Sequence, residues 1–83
     1  HQKKQYKIQM KKADDKFEST PMYTWMVENA EDYGFVLRYP KNKTDITGVI
    51  YESWHWRFVG INTAKEMNKL DMTLEEYVEY KNK

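Results

Sequence analysis

The run Gly48-Val49-Ile50-Tyr51-Glu52-Ser53-Trp54-His55-Trp56-Arg57-Phe58-Val59 decides how this chain folds. It is too long and too rich in aromatic and β-branched side chains for a surface loop, so it reads as a strand over 49–59 opened by Gly48. Upstream, Phe35-Val36-Leu37-Arg38-Tyr39 has the same character and stops at Pro40, which marks a second strand closed by a turn. The polar stretch 41–47 between them reads as loop. Together the two runs predict an antiparallel hairpin with an extended connection, and a loop returning between strands is a natural edge of a site.

Helices flank this pair. Before it, Ser19 or Thr20 can cap a helix with Pro21 at its first position, and Met22, Trp25, Met26 and Tyr33 recur at helical spacing until Gly34 offers a left-handed stop. That spacing predicts a helix over 20–33. After it, Asn62 or Thr63 can cap a short helix carrying Ala64, Met67 and Leu70. Thr73 with Glu76 then makes a capping box for a last helix through Tyr80, striped by Leu74, Tyr77 and Val78. Residues 1–17 form a polar, Lys-rich lead-in whose partial alternation at Tyr6, Ile8 and Met10 reads as one edge strand, its lysines discouraging edge pairing. The order predicts an α+β fold, a small antiparallel sheet packed with helices, with residues 1–83 as a single domain.

Composition narrows the function. A chain of 83 residues buries only about 60% of its extended surface, so it holds one small, marginally stable core. Three Trp, seven Tyr and three Phe make that core from large side chains that want a polar partner at one end, a composition that suits a groove as well. Fourteen Lys and Arg against 13 Asp and Glu leave a net charge of +1, too weak a field to recruit nucleic acid. Without cysteine there is no disulfide and no thiolate metal site, so a zinc ion would rest on His and carboxylate ligands. No apolar run is long enough to span a membrane, and no signal peptide is visible. The start at His1 rather than Met reads as a processed or truncated product.

Chemistry concentrates in the first run. Tyr51 to Arg57 sets a carboxylate, an imidazole and a guanidinium among three aromatics, a setting that strengthens electrostatic interactions. In an unbroken strand Glu52 and His55, three apart, face opposite sides, so joint work at one centre demands a bulge or tight turn near Ser53. In zinc hydrolases the metal acidifies a bound water, and a Glu that is not a ligand takes its proton and passes it to the leaving amine. Glu52 fits that base and His55 a ligand. On spacing alone the plainer alternative is Glu52 paired with Arg57 or a lysine, and His55 as a hydrogen-bonded core histidine.

A wider pattern adds to the tetrapeptide Glu52-Ser53-Trp54-His55. It is preceded by Trp25, Asn29 and Ala30 in a Trp-x-x-x-Asn-Ala arrangement, by Tyr33-Gly34-Phe35-Val36-Leu37-Arg38-Tyr39-Pro40 and by Ile46-Thr47-Gly48. Arg57-Phe58-Val59-Gly60 and Leu74-Glu75-Glu76-Tyr77 follow it. In order and spacing these motifs resemble the C-terminal portion of the VanY-type zinc D,D- and L,D-carboxypeptidases, bacterial enzymes that trim peptidoglycan stem peptides. The resemblance implies Glu52 as general base, His55 as the last zinc ligand, Tyr39 and Trp54 as walls for the terminal D-residue, and Arg57 as a support. It also implies a D-Ala-D-Ala carboxypeptidase-like fold, a stem peptide as substrate and a place in the bacterial cell envelope.

The family's other two ligands come from an upstream Ser-x-His-x-x-Gly-x-Ala-x-Asp motif that this sequence lacks. After His1-Gln2, Lys4, Tyr6 and Ile8 stand where Gly, Ala and Asp belong, and Asp14 and Asp15 are the only early aspartates. Zinc is therefore expected for the complete domain rather than for this chain as an isolated monomer, which should be catalytically dead. Three explanations stand open: a fragment, a degenerate homologue kept as a binding module, or a site completed by a second chain. The binding alternative would use an aromatic groove of Tyr39, Trp54 and Trp56 to hold a cell-wall peptide uncut. A third reading is a partner-binding module that buries its exposed aromatics.

Overall fold

A computed structural model describes the backbone of residues 5–7 and residues 15–83, with side chains from Lys16 onward. Three antiparallel strands form the sheet, in the order β1-β3-β2: β1 is Gln5–Lys7, β2 is Phe35–Tyr39 and β3 is Glu52–Phe58. The α+β class and the hairpin-like pairing of the two aromatic runs are as expected. The lead-in does contribute an edge strand, Gln5 opposite Arg57 and Lys7 opposite His55, while Ile8 and Met10 lie outside the described residues.

Among the described residues four α-helices accompany the sheet: α1 (Pro21–Asn29), α2 (Thr44–Thr47), α3 (Ile61–Leu70) and α4 (Leu74–Lys81). Thr20 caps α1, its hydroxyl accepting the Tyr23 N–H, and Pro21 sits at the first turn where a missing N–H costs nothing. The helix then tightens into a 3₁₀ turn, Ala30–Tyr33, and stops at Gly34 with φ of 88°. Only glycine suits this corner. A Cβ there would lie 2.7 Å from Phe58 Cε1, and the Gly34 carbonyl accepts the N–H groups of Val59 and Gly60 at 2.7 and 3.1 Å. Thr73 and Glu76 form the full capping box of α4.

Three expectations need correction. The stretch 41–47 is not all loop, because Thr44–Thr47 closes one helical turn that Gly48 ends in the left-handed region. The strand begins at Glu52 rather than 49, since Ile50 is 73% exposed and makes no ladder pairing. The third helix begins at Ile61, directly after Gly60, ahead of Asn62 and Thr63.

The core joins Val36 of β2, Val59, Ala64 and Met67 of α3, and Tyr77 of α4, with Met72 and Leu74 packed against it. Helix α1 has no buried residue, and Met22, Trp25 and Val27 stand exposed. Thus the carboxyl-terminal helices hold one side of the hairpin together. A cavity of about 440 Å³, bordered by Tyr23, Val27, Leu37, Trp56, Met67 and Met72 among others, lies away from Glu52 and His55.

Candidate active site

The site is made by a break in strand pairing. Phe35, Val36 and Leu37 face Phe58, Arg57 and Trp56 in regular antiparallel register, but the next pair is Tyr39 with Glu52. Between these pairs β2 spends one residue, Arg38, while β3 spends three: Ser53, Trp54 and His55. Such an insertion bends the strand and re-aims side chains that strict alternation would separate. As a result His55 Nδ1 and Glu52 Oε1 lie 3.1 Å apart. The irregularity that the Glu52–His55 spacing demanded is present, at Ser53 to His55.

The two side chains differ in access. The His55 side chain is 3% exposed and that of Glu52 18%, so the imidazole is enclosed while the carboxylate keeps an opening. Ser53 and Trp56 are buried beside them, and the Trp56 indole N–H donates to the Ser53 carbonyl at 3.0 Å. That bond ties the turn of the bulge to the strand that follows. Trp56 is therefore a core side chain at 5% exposure and not part of an open aromatic groove.

Tyr39 packs edge-on against His55, ring centroids 5.2 Å apart at 77°. Trp54 is half-buried within the inserted segment. Arg57 is half-buried too, aligned with Val36 and Gln5, and its buried Nε makes no hydrogen bond among the described residues. Among the described residues, neither Arg57 nor a lysine pairs with Glu52, and the side chain that meets its carboxylate is His55.

An arginine that the sequence did not single out for the site contacts one of its residues, Tyr39. Arg38 donates from both terminal nitrogens to Glu75 of α4, at 3.0 and 2.8 Å, and its guanidinium carbon lies 4.5 Å from the Tyr39 ring centre. Burial pushes the Glu75 carboxyl up, but its bonds from Arg38, with help from the backbone and Thr73, outweigh that and hold it below the ordinary value. The signal was in the sequence, since Leu37-Arg38-Tyr39-Pro40 and Leu74-Glu75-Glu76-Tyr77 both belong to the pattern, but pairing across 37 residues is invisible to local spacing.

Zinc needs three protein ligands at a catalytic site. Among the described residues no three His, Cys, Asp or Glu side chains gather closely enough to hold a metal. The described part thus offers one imidazole and one adjacent carboxylate, which fits part of such a site and not the whole. His1 and Asp14 lie outside the described residues, as does the Asp15 side chain.

Comparison with known proteins shows the family to which the fold belongs. Residues 2–61 match the family model for VanY, D-alanyl-D-alanine carboxypeptidase. A D-alanyl-D-alanine carboxypeptidase of Enterococcus faecium is 48% identical over 65 residues, covering 78% of this chain and 22% of that protein. Among solved structures, the LdcB LD-carboxypeptidase, whose structure is described as revealing the molecular basis of peptidoglycan recognition, superposes with a TM-score of 0.76 at 50% identity. The match covers 82% of this chain and 32% of that one. The vancomycin-resistance D,D-pentapeptidase VanY in complex with Zn(II) gives 0.65 at 48% identity, covering 68% and 32%. This chain belongs to the VanY carboxypeptidase family. The matched region spans about a fifth of the length of the curated relative and about a third of each solved chain.

Proposed function

We propose that this chain supplies the general base, Glu52, and one metal-ligating side chain, His55, of a zinc D,D- or L,D-carboxypeptidase. The enzyme would remove the C-terminal D-alanine from peptidoglycan stem peptides outside the bacterial membrane. The observation that supports this reading is the three-against-one register break, which puts the Glu52 carboxylate 3.1 Å from the His55 ring in a setting closed around the ligand and open at the base. Zinc, when bound, supplies an acidified water. Glu52 is placed to hold a proton on its carboxylate and to return it to the departing amine, while His55, enclosed and oriented, offers a ring nitrogen. Tyr39 of β2 and Trp54 of β3 border the terminal D-residue, and Arg57 supports β3. The remaining ligands come from residues other than those described, in the same polypeptide or in a second chain.

A non-catalytic stem-peptide-binding module is the second reading, favoured by the lack of a three-group cluster among the described residues. The test is release of D-alanine by a zinc-loaded form with a complete ligand set, assayed on pentapeptide and tetrapeptide stems. Release that stops on chelation and returns with zinc is expected. Stem-peptide binding with no release under zinc saturation would replace the enzyme reading with the binding one.

A further inference from the structure

The Glu52–His55 pair does not stand alone. Behind it runs a continuous set of contacts that ends on the last helix. Glu75 of α4 accepts both Nη atoms of Arg38, at 3.0 and 2.8 Å, in the two-pronged geometry that fixes a guanidinium in one plane. The Arg38 side chain is 12% exposed and that of Glu75 34%, so the guanidinium is largely shielded from water while the carboxylate keeps some access to it. The guanidinium carbon of Arg38 lies over the Tyr39 ring, 4.5 Å from its centre, and the Tyr39 ring meets the His55 imidazole edge-on at 5.2 Å. On its other side the imidazole meets Glu52 at 3.1 Å.

We propose that Arg38, locked by Glu75, is a positioning residue for His55, acting through the Tyr39 ring that its guanidinium covers. This rests on the reading of His55 as a metal ligand. An imidazole can turn about its last side-chain bond, and a metal tolerates little misalignment, so ring orientation must be held by neighbours beyond the ligands themselves. Glu52 cannot do that alone if it is also to move a proton. Tyr39 can, provided its own ring is fixed; it sits at the end of β2, beside the register break, where its backbone pairs with Glu52 but that pairing does not by itself fix the ring's rotation. The guanidinium supplies that constraint from above. Lysine could not, because an ammonium neither forms the planar fork to Glu75 nor stacks on a ring in a defined plane. Helix α4 thereby acquires a part in the site without contacting a substrate.

The test compares Arg38→Lys and Glu75→Gln with Tyr39→Phe and Tyr77→Phe. Tyr77→Phe removes the Tyr77 bond to Glu66, 2.6 Å long, and serves as a destabilised control on the same helix whose lost bond involves neither Arg38 nor Glu75. In the 83-residue chain the carbon-bound ring protons of His55, read by NMR, report the ring current of Tyr39. Arg38→Lys and Glu75→Gln should move those resonances and Tyr77→Phe should not, while Tyr39→Phe, which keeps the ring, should leave them near the wild type. In a zinc-loaded form with a complete ligand set, Arg38→Lys and Glu75→Gln should weaken zinc binding by about 10- to 100-fold, the range for groups that orient a ligand. His55 signals and zinc affinity unchanged in both variants would overturn the proposal, as would shifts equally large in Tyr77→Phe. Should His55 prove not to bind zinc at all, the function fails, yet the NMR comparison still decides whether Arg38 sets the ring.

Discussion

At Glu52 and His55 one local irregularity brings together side chains that a regular strand would separate. Their three-residue spacing is wrong for a strand and right only if the ladder slips, and the pairing passes from Leu37–Trp56 to Tyr39–Glu52 by placing three residues against one. This much could be read from the sequence, because the geometry of a strand is fixed and the spacing violates it. What could not be read was Trp56: three aromatics in a row of seven residues give no sign of which are covered, and the indole N–H bonded to Ser53 O is a tertiary fact. At this scale His55→Ala should abolish zinc binding in a form with a complete ligand set, measured as metal retained after dialysis, whereas unchanged retention would make His55 a core residue only. Gly34→Ala should lower stability by about 2 kcal/mol, since a Cβ at φ of 88° would press on Phe58 Cε1 at 2.7 Å. Urea unfolding of that variant against the wild type would measure it.

Elements announce themselves when their ends carry chemistry. The Thr20-Pro21 start and the Gly34 stop framed α1 and its 3₁₀ extension, and Thr73 with Glu76 framed α4, because caps are local hydrogen bonds between residues close in sequence. Helix α2 escaped notice for the converse reason: Thr44–Thr47 is four residues long, too short to show a period. The beginning of α3 at Ile61 was missed because Gly60, at φ of 97°, makes the turn with no capping side chain, while Asn62 and Thr63 lie inside the helix. Thr73→Ala removes the cap of α4 and should cost about 1 kcal/mol, read as a lower thermal midpoint. If Thr73→Ala were neutral, the box seen at Thr73 and Glu76 would not stabilise the helix.

Across the whole molecule, the core is small and sits between the hairpin and the two last helices. Met67, 2% exposed at its centre, should cost about 3 kcal/mol on replacement by Ala, enough to threaten folding of a domain this size. Acid should act through Glu75. Its folded value lies below the ordinary 4.5, so its bonds to Arg38 stabilise the fold fully above that value and lose their effect as pH falls below it. A stability-against-pH curve should decline on the acid side more steeply for the wild type than for Glu75→Gln, and parallel curves would contradict this. Fold class was legible from two aromatic runs between capped helices, whereas the faces were not: of the residues at helical spacing, Met22, Trp25 and Tyr33 stand exposed. Of the donor groups a metal site would need, the described residues bring together one imidazole and one adjacent carboxylate.

The central claim, that the register break pairs a ligand with a proton carrier, is tested most directly by Glu52→Gln in a zinc-loaded form with a complete ligand set. Zinc per chain and D-alanine release from a stem peptide would be measured on the same sample. Zinc equal to the wild type with release reduced by about 100-fold or more is the predicted result, since a base is not a ligand. Release at the wild-type rate would contradict it.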